Sequence, residues 1–209
     1  DVSRNVMCTP APFESNKAYK EARQWSKVFA QLFRPLSASF SEIWLDGEKA
    51  ATIETWAKEV EGFNIDEAMR HDSGRGVVLS DDPVEPIYGD RYLPRKFKIG
   101  VTVPGDNSID IYTNDIGVVV VMNEKDELEG FNILVGGGLG RTHNKETTFA
   151  RAADHFGFVP KEDAMELMKS IVAAQRDHGN RYVQAITSTS LPFDVITCCS
   201  LTDRFCIVM

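Results

Sequence analysis

Arg91-Tyr-Leu-Pro-Arg-Lys-Phe-Lys-Ile-Gly-Val-Thr-Val-Pro104 is the stretch from which the rest of the chain is read. Arg95, Lys96 and Lys98 crowd together there and run directly into an apolar strand. Successive side chains on a strand point to opposite faces. Lys96 and Lys98 therefore share one face, while Phe97 and Ile99 turn to the other and enter a core. Two ammonium groups held side by side repel each other unless an anion lies between them. Exposed edge strands also carry lysines, which block unwanted pairing, so the stretch alone leaves both readings open.

More strands follow closely. Ile109-Asp-Ile-Tyr112 alternates, and Ile116-Gly-Val-Val-Val-Val-Met122 is a continuous apolar run suited to a central strand. Glu124-Lys-Asp-Glu-Leu-Glu129 reads as a polar turn, after which Phe131-Asn-Ile-Leu-Val135 returns antiparallel. That strand empties into Gly136-Gly-Gly-Leu-Gly-Arg-Thr-His143. Asn144 is predicted to cap a helix carrying Phe149, Ala152, Ala153 and Phe156 and ending at Gly157. Pro160 opens another helix through Ala164, Leu167, Met168, Ile171 and Val172, ending near Gly179.

Upstream, Arg4 to Pro12 is an extended, proline-limited opening. From Asn16 to Phe33 the apolar residues recur at three and four, one face of a helix capped by Asn16 and stopped by Pro35. Ser41 to Asp46 alternates as a half-buried strand. Residues 48–90, rich in glycine, proline and acids, read as a long surface excursion. Tyr182 to Met209 is rich in Thr and Ser and shows no period, so it is expected to be a poorly ordered tail unrelated to what precedes it.

Composition limits the functions. The 209 residues, 43% hydrophobic, allow one large domain or two small ones with a real core. A formal charge of −8 argues against nucleic acid as a partner, so an anion site must be a local basic cluster in an acidic surface. No apolar run is long enough for a membrane span. The chain opens without Met or a basic-apolar leader and is expected to be a piece of something longer. Cysteines at 8, 198, 199 and 206 are too bunched for a disulfide framework, so a reducing compartment is expected. Cys206-Ile-Val-Met209 fits a prenylation box, with Cys198 and Cys199 upstream as acylation sites, but lacks a polybasic neighbour.

The glycine cluster between strand and helix has two readings. Its backbone N–H groups can cradle an anionic group, or its glycines permit a tight bend and close packing. It is not the dinucleotide fingerprint, because Arg141 and His143 stand where the third glycine belongs, and no Lys-Ser/Thr follows as in a phosphate loop. His71, His143, His155 and His178 have no paired ligand spacing, so no metal site is expected. His143, directly after the glycines, either lines a site or serves as a polar surface residue.

Arg4-Asn-Val-Met-Cys, Leu93-Pro-Arg-Lys-Phe-Lys98, Asn114-Asp-Ile-Gly117, Gly130-Phe-Asn-Ile-Leu-Val-Gly-Gly-Gly138 and Gln175-Arg-Asp-His-Gly-Asn-Arg181 occur in this order. Together they closely resemble the siroheme-containing sulfite and nitrite reductases, over residues 1–181. The resemblance implies an α/β (α+β-like) domain, a mixed, largely antiparallel sheet flanked by helices, the first of two related units. It implies assimilatory reduction of sulfite to sulfide at siroheme, coupled to a [4Fe–4S] cluster. By the same likeness, Arg4, Lys96 and Lys98 bind the oxyanion and serve proton delivery. Asn5, Arg95, Gly136, Gly137, Gly138, Thr142 and His143 are placed around the cofactor.

Lys98 favours sulfite over nitrite, since the nitrite branch carries Asn there. Val101-Thr-Val-Pro-Gly-Asp-Asn-Ser108 looks most like the ferredoxin-dependent type, which implies ferredoxin as electron donor and a plastid stroma or, outside eukaryotes, the cytoplasm. The cluster's Cys-x5-Cys and Cys-x3-Cys arrangement is absent from this sequence, as is the family's amino-terminal domain. The isolated chain is therefore expected to be inactive without the rest of the reductase polypeptide. The alternatives are a nitrite reductase segment or a cofactor-free module that keeps only the fold.

Overall fold

The computed structural model describes residues 1–10, 15–35, 42–45, 48–52, 62–63, 87–140, 149–179 and 181. Its centre is the apolar run Ile116–Met122 (β5), in which Ile116, Val118 and Val120 are fully buried. Around it lie Ser3–Cys8 (β1), Phe97–Thr102 (β4), Leu128–Val135 (β6) and Asp154–Pro160 (β7), in the order β1-β4-β5-β6-β7. β1 and β5 both run parallel to β4, while β6 is antiparallel to β5 and to β7. The sheet is therefore mixed, with pairings divided equally between the two kinds. The turn from β5 to β6 is held by Asn123, whose side-chain oxygen accepts from the backbone N–H groups of Lys125 and Glu127, each at 2.9 Å.

Both helices cover one face of this sheet. Lys17–Leu32 (α1) begins where the Asn16 side chain accepts from Ala18 N at 2.9 Å and Tyr19 N at 3.5 Å. Its stripe of Ala22, Trp25, Val28, Phe29 and Leu32 joins Phe97, Ile99, Val101, Phe131 and Ile133 in a single core. Trp25 lies with its ring centroid 5.5 Å from Phe29 and 4.8 Å from Phe131. Ala164–His178 (α2) adds Ala164, Leu167, Met168, Ile171 and Val172 to the same core, as its periodicity predicts.

The other face has a different cover. Gly100 of β4 and Gly117 of β5 stand opposite each other in register and leave a shallow floor. A short 3₁₀ turn, Ile111–Thr113, lies on it. A Cβ on Gly100 would fall 2.9 Å from Asn114 Nδ2, and one on Gly117 would fall 2.9 Å from Ile111 Cγ1. Here the structure departs from the alternating strand expected at Ile109–Tyr112. Asp110 adopts a left-handed backbone (φ 49°), which breaks the extended run and turns Ile111 down onto the glycines.

A second departure concerns the helix expected from Asn144 to Gly157. The described part of that range, from Phe149 onward, contains no helix, and Asp154–Pro160 forms edge strand β7. Gly157 is no helix cap. It sits inside β7 at φ 139°, opposite the register shift between Ile133 and Leu134. Pairing with the otherwise open edge of β6 outweighs the helical spacing of the apolar residues. Glu42–Leu45 (β2), within the strand expected at 41–46, pairs antiparallel with Glu48–Thr52 (β3), at the start of the stretch read as an excursion, as a separate two-stranded ribbon. The first matches the strand expected there, and the second was not anticipated. The 182–209 tail, with Cys198, Cys199 and Cys206, lies outside the described residues.

Candidate functional site

Motifs far apart in the chain meet at one end of the five-stranded sheet. Asn5 on β1 stands opposite Lys98 on β4, one step before the Val6–Ile99 and Ile99–Ile116 pairs. The same step beyond β5 is Asp115, whose carbonyl accepts from Gly136 N at 2.9 Å at the end of β6. Beyond Gly136, Val135 pairs with Asp154 at the start of β7, and Arg151 Nη1 reaches the Gly136 carbonyl at 3.4 Å. Asn5, Lys98, Asp115, Gly136 and Arg151 thus form one transverse row.

The basic stretch enters this row as its alternation predicts. Phe97 and Ile99 are buried, while Lys96 and Lys98 on either side of Phe97 are half-buried. Among the described residues neither ammonium group takes part in a hydrogen bond or ion pair. Arg4 sits at the register break between Ser3 and Asn5, where β1 bulges beside Lys98. Its guanidinium is exposed and forks onto Asp1, with Nε to Oδ1 at 3.0 Å and Nη2 to Oδ2 at 2.8 Å.

Arg95 is placed differently from the two lysines. Its Nη2 pairs with Asp115 Oδ1, and its Nη1 donates to the Lys96 carbonyl at 2.9 Å. The other Asp115 oxygen accepts from the backbone N–H of Lys98 at 2.8 Å. β5 begins only at Ile116, so this carboxylate continues the β4–β5 ladder one rung past the strand. Burial pushes the Asp115 carboxyl above its ordinary value, against the pull of Arg95, of the Lys98 N–H and of the Lys98 charge. Sequence reasoning did not single out Asp115 as part of the site. Its neighbour Asn114 is equally buried and donates to the carbonyl of Asp110 at 3.2 Å.

The glycine run serves close packing. Gly136 adopts φ 87°, and its carbonyl and Cα face Arg151. A Cβ on Gly137 would lie 2.2 Å from the Tyr112 carbonyl oxygen and 2.6 Å from that of Asn114. The N–H groups of Gly136, Gly137 and Gly138 donate to the carbonyls of Asp115, Asn114 and Arg151 at 2.9, 3.1 and 2.8 Å. All three are committed to the fold, so these glycines contribute close approach at this end of the sheet rather than free donors. Thr142 and His143 lie outside the described residues.

The last shared motif acts as a fastening. Arg181 donates to the carbonyls of Arg91 at 3.0 Å, Tyr92 at 2.6 Å and Arg176 at 2.8 Å, and Arg176 Nη1 donates at 2.5 Å to that of Ile87. Both arginines hold the turn that delivers Arg95, Lys96 and Lys98.

The donor set suits an oxyanion or a carboxylated macrocycle such as siroheme. Arg4, Lys96 and Lys98 supply charge, Asn5 an amide, and the glycine run a close approach. It does not suit an iron–sulfur cluster. Cys8, the one described cysteine, is half-buried on β1, and burial raises its thiol above the ordinary value, disfavouring the thiolate a cluster requires. No group of three or more His, Cys, Asp or Glu residues able to hold a metal occurs among the described residues.

The structure is a mixed-sheet α/β domain in which basic residues of β1 and of the entry to β4 lie at one sheet end. The chain belongs to the family described as nitrite and sulphite reductase 4Fe-4S domain, whose model matches residues 24–186. The ferredoxin sulfite reductase of Synechococcus elongatus is 54% identical over 181 residues, covering 87% of this chain and 27% of that protein. The NADPH sulfite reductase haemoprotein beta-component of Shewanella sediminis is 43% identical over the same shares. The chain therefore spans about a quarter of the length of the curated relatives it matches. Among solved structures, that of the Mycobacterium tuberculosis NirA protein is 24% identical with a TM-score of 0.37, covering 59% of this chain and 19% of that one.

Proposed function

We propose that this chain is the segment of a siroheme-dependent, ferredoxin-linked sulfite reductase that supplies cations to the substrate site. The observation that carries this reading is the pair Lys96 and Lys98. Both are half-buried, neither ammonium group makes a hydrogen bond or a close ion pair among the described residues, and both lie beside the β1 bulge that presents Arg4 and Asn5. Partly buried charge without a direct hydrogen-bonded partner is costly. Sulfite, with two negative charges, offsets that cost. Lys96, Lys98 and Arg4 then neutralise the bound oxyanion and donate hydrogen bonds to its oxygens. Each oxygen leaves as water and takes up protons as it goes, which the Lys96 and Lys98 ammonium groups are able to deliver. Siroheme, when bound, supplies the iron that holds the sulfur atom and passes on the electrons. Asn5, Arg4 and the close approach at Gly136 to Gly138 are the parts of this chain suited to its edge. The cluster's ligands are to come from the remainder of the polypeptide.

The relative of highest identity given above is named for ferredoxin, which supports that donor and a plastid or cytoplasmic setting. Lys98, rather than Asn, favours sulfite over nitrite.

Titration of sulfite into the full chain, followed by the ¹⁵N signals of its lysine side chains, tests the reading. Lys98→Ala is expected to weaken binding about tenfold, the value of one charge-assisted contact. Equal binding by wild type and Lys98→Ala would remove Lys98 from the site. Purification with siroheme supplied distinguishes a cofactor-holding segment from a cofactor-free module: the former retains the macrocycle's visible absorbance.

A further inference from the structure

Asp115 is a buried charged group for which the proposed chemistry has no use, yet it touches the basic stretch twice. One oxygen pairs with the Arg95 guanidinium, and the other accepts the Lys98 backbone N–H at 2.8 Å. Its own carbonyl binds Gly136 N at 2.9 Å, so a single residue joins the basic stretch, the start of β5 and the glycine run. Its side chain is 7% exposed, and that of Arg95 is 16% exposed, so this pair is shielded from water.

We propose that Asp115 is a positioning residue for the anion site. Its carboxylate withdraws Arg95 from the set of available cations and fixes the entry of β4 so that the Lys98 side chain faces the anion.

Two consequences separate this from a plain ion pair. First, Arg95 is not an anion ligand although it lies next to two residues that are. Its charge is already met, and an incoming oxyanion would have to compete with a buried carboxylate. Second, the acceptor for the Lys98 N–H matters apart from charge. β5 does not reach far enough to provide a backbone carbonyl there, and no strand residue replaces Asp115. Without it, the Lys98 N–H has no acceptor on the β5 side, and this part of β4 is held only through its pairing with β1 and the ladder that starts at Ile99.

The proposal rests on the anion reading of this sheet end, and its test keeps the two apart. In an Arg95→Met background, where no buried cation is left unpaired, Asp115→Asn and Asp115→Leu are both neutral and share the same branched heavy-atom skeleton. Only Asn can still accept the Lys98 N–H. The full chain carrying each pair is titrated with sulfite, and hydrogen exchange is read at the Lys98 amide. Arg95→Met/Asp115→Asn is expected to bind sulfite within about twofold of wild type, and Arg95→Met/Asp115→Leu about tenfold more weakly, the cost of one hydrogen bond's worth of misplacement. Lys98 amide exchange is expected to be faster in the Leu variant alone. Equal sulfite binding by the two double variants overturns the proposal, as does a tenfold loss in both. If no protein in the series binds sulfite, the anion reading fails and the proposal with it. Hydrogen exchange then still reports whether Asp115 holds Lys98, which distinguishes that failure from an error in the geometry.

Discussion

Replacing Gly137 with alanine tests the packing on which the sheet end depends. The residue's φ is not in the left-handed region, so the backbone itself tolerates a side chain. The obstacle is space, because the new Cβ would lie 2.2 Å from the Tyr112 carbonyl oxygen and 2.6 Å from that of Asn114. Both are backbone atoms of the segment lying on the Gly100–Gly117 floor, so neither yields by a simple rotation. Relief requires the glycine run to move away from that segment, which stretches the Gly137 N to Asn114 O bond of 3.1 Å. Overpacking of this kind costs about 2 kcal/mol, and loss of the hydrogen bond adds about 1 kcal/mol. With a urea dependence of about 2 kcal/mol per molar, the unfolding midpoint should fall by about 1.5 M. Gly105→Ala is the control: Gly105 has φ 82° with open space around it. That change carries only the left-handed backbone cost of about 1 kcal/mol, or about 0.5 M. Urea titrations followed by tryptophan fluorescence compare the two. A Gly137→Ala midpoint no lower than that of Gly105→Ala would refute the close-approach account of the glycine run.

Removing the α1 cap by Asn16→Ala should cost about 1 kcal/mol in urea unfolding, and Asn16→Asp should restore most of it. Asp106 accepts from the Ser108 backbone N–H at 2.8 Å and the Tyr19 hydroxyl at 2.9 Å, which hold its carboxyl below the ordinary value of 3.8. A lowered folded-state value means a contribution present above pH 3.8 and lost as pH falls through the folded value. An NMR titration should therefore place the Asp106 midpoint below 3.8, and a midpoint above it would contradict those hydrogen bonds. Arg181→Ala should speed hydrogen exchange at the Tyr92 amide, which donates to the Tyr88 carbonyl within the turn that Arg181 fastens.

Much of the architecture was legible because local patterns coincided with tertiary need. The apolar run of β5, the Asn16-capped helix and the buried alternation of Phe97 and Ile99 each answered to a single period. The failures are equally physical. Ile109–Tyr112 alternates in type, but a left-handed Asp110 folds it onto two glycines that lie opposite each other only after β4 and β5 pair. Phe149 to Phe156 carries helical spacing, but an open edge of β6 recruits its later part as β7. The half-buried placement of Lys96 and Lys98 on either side of a buried Phe97 was readable from their spacing. Asp115 was not, since an acid near a strand start has no distinguishing pattern until Lys98 and Arg95 are brought against it.

The amino-acid order by itself determined which segments become strands and helices wherever one period dominated. It also determined that a cationic pair would project from one side of a core strand, because side-chain alternation follows from backbone geometry. Only the tertiary structure decided which cation is left available. Arg95 and Lys98 are three residues apart and chemically alike, yet a buried carboxylate contributed by the neighbouring strand's entry neutralises the first and anchors the backbone of the second. That choice depends on register between strands, which no local stretch encodes.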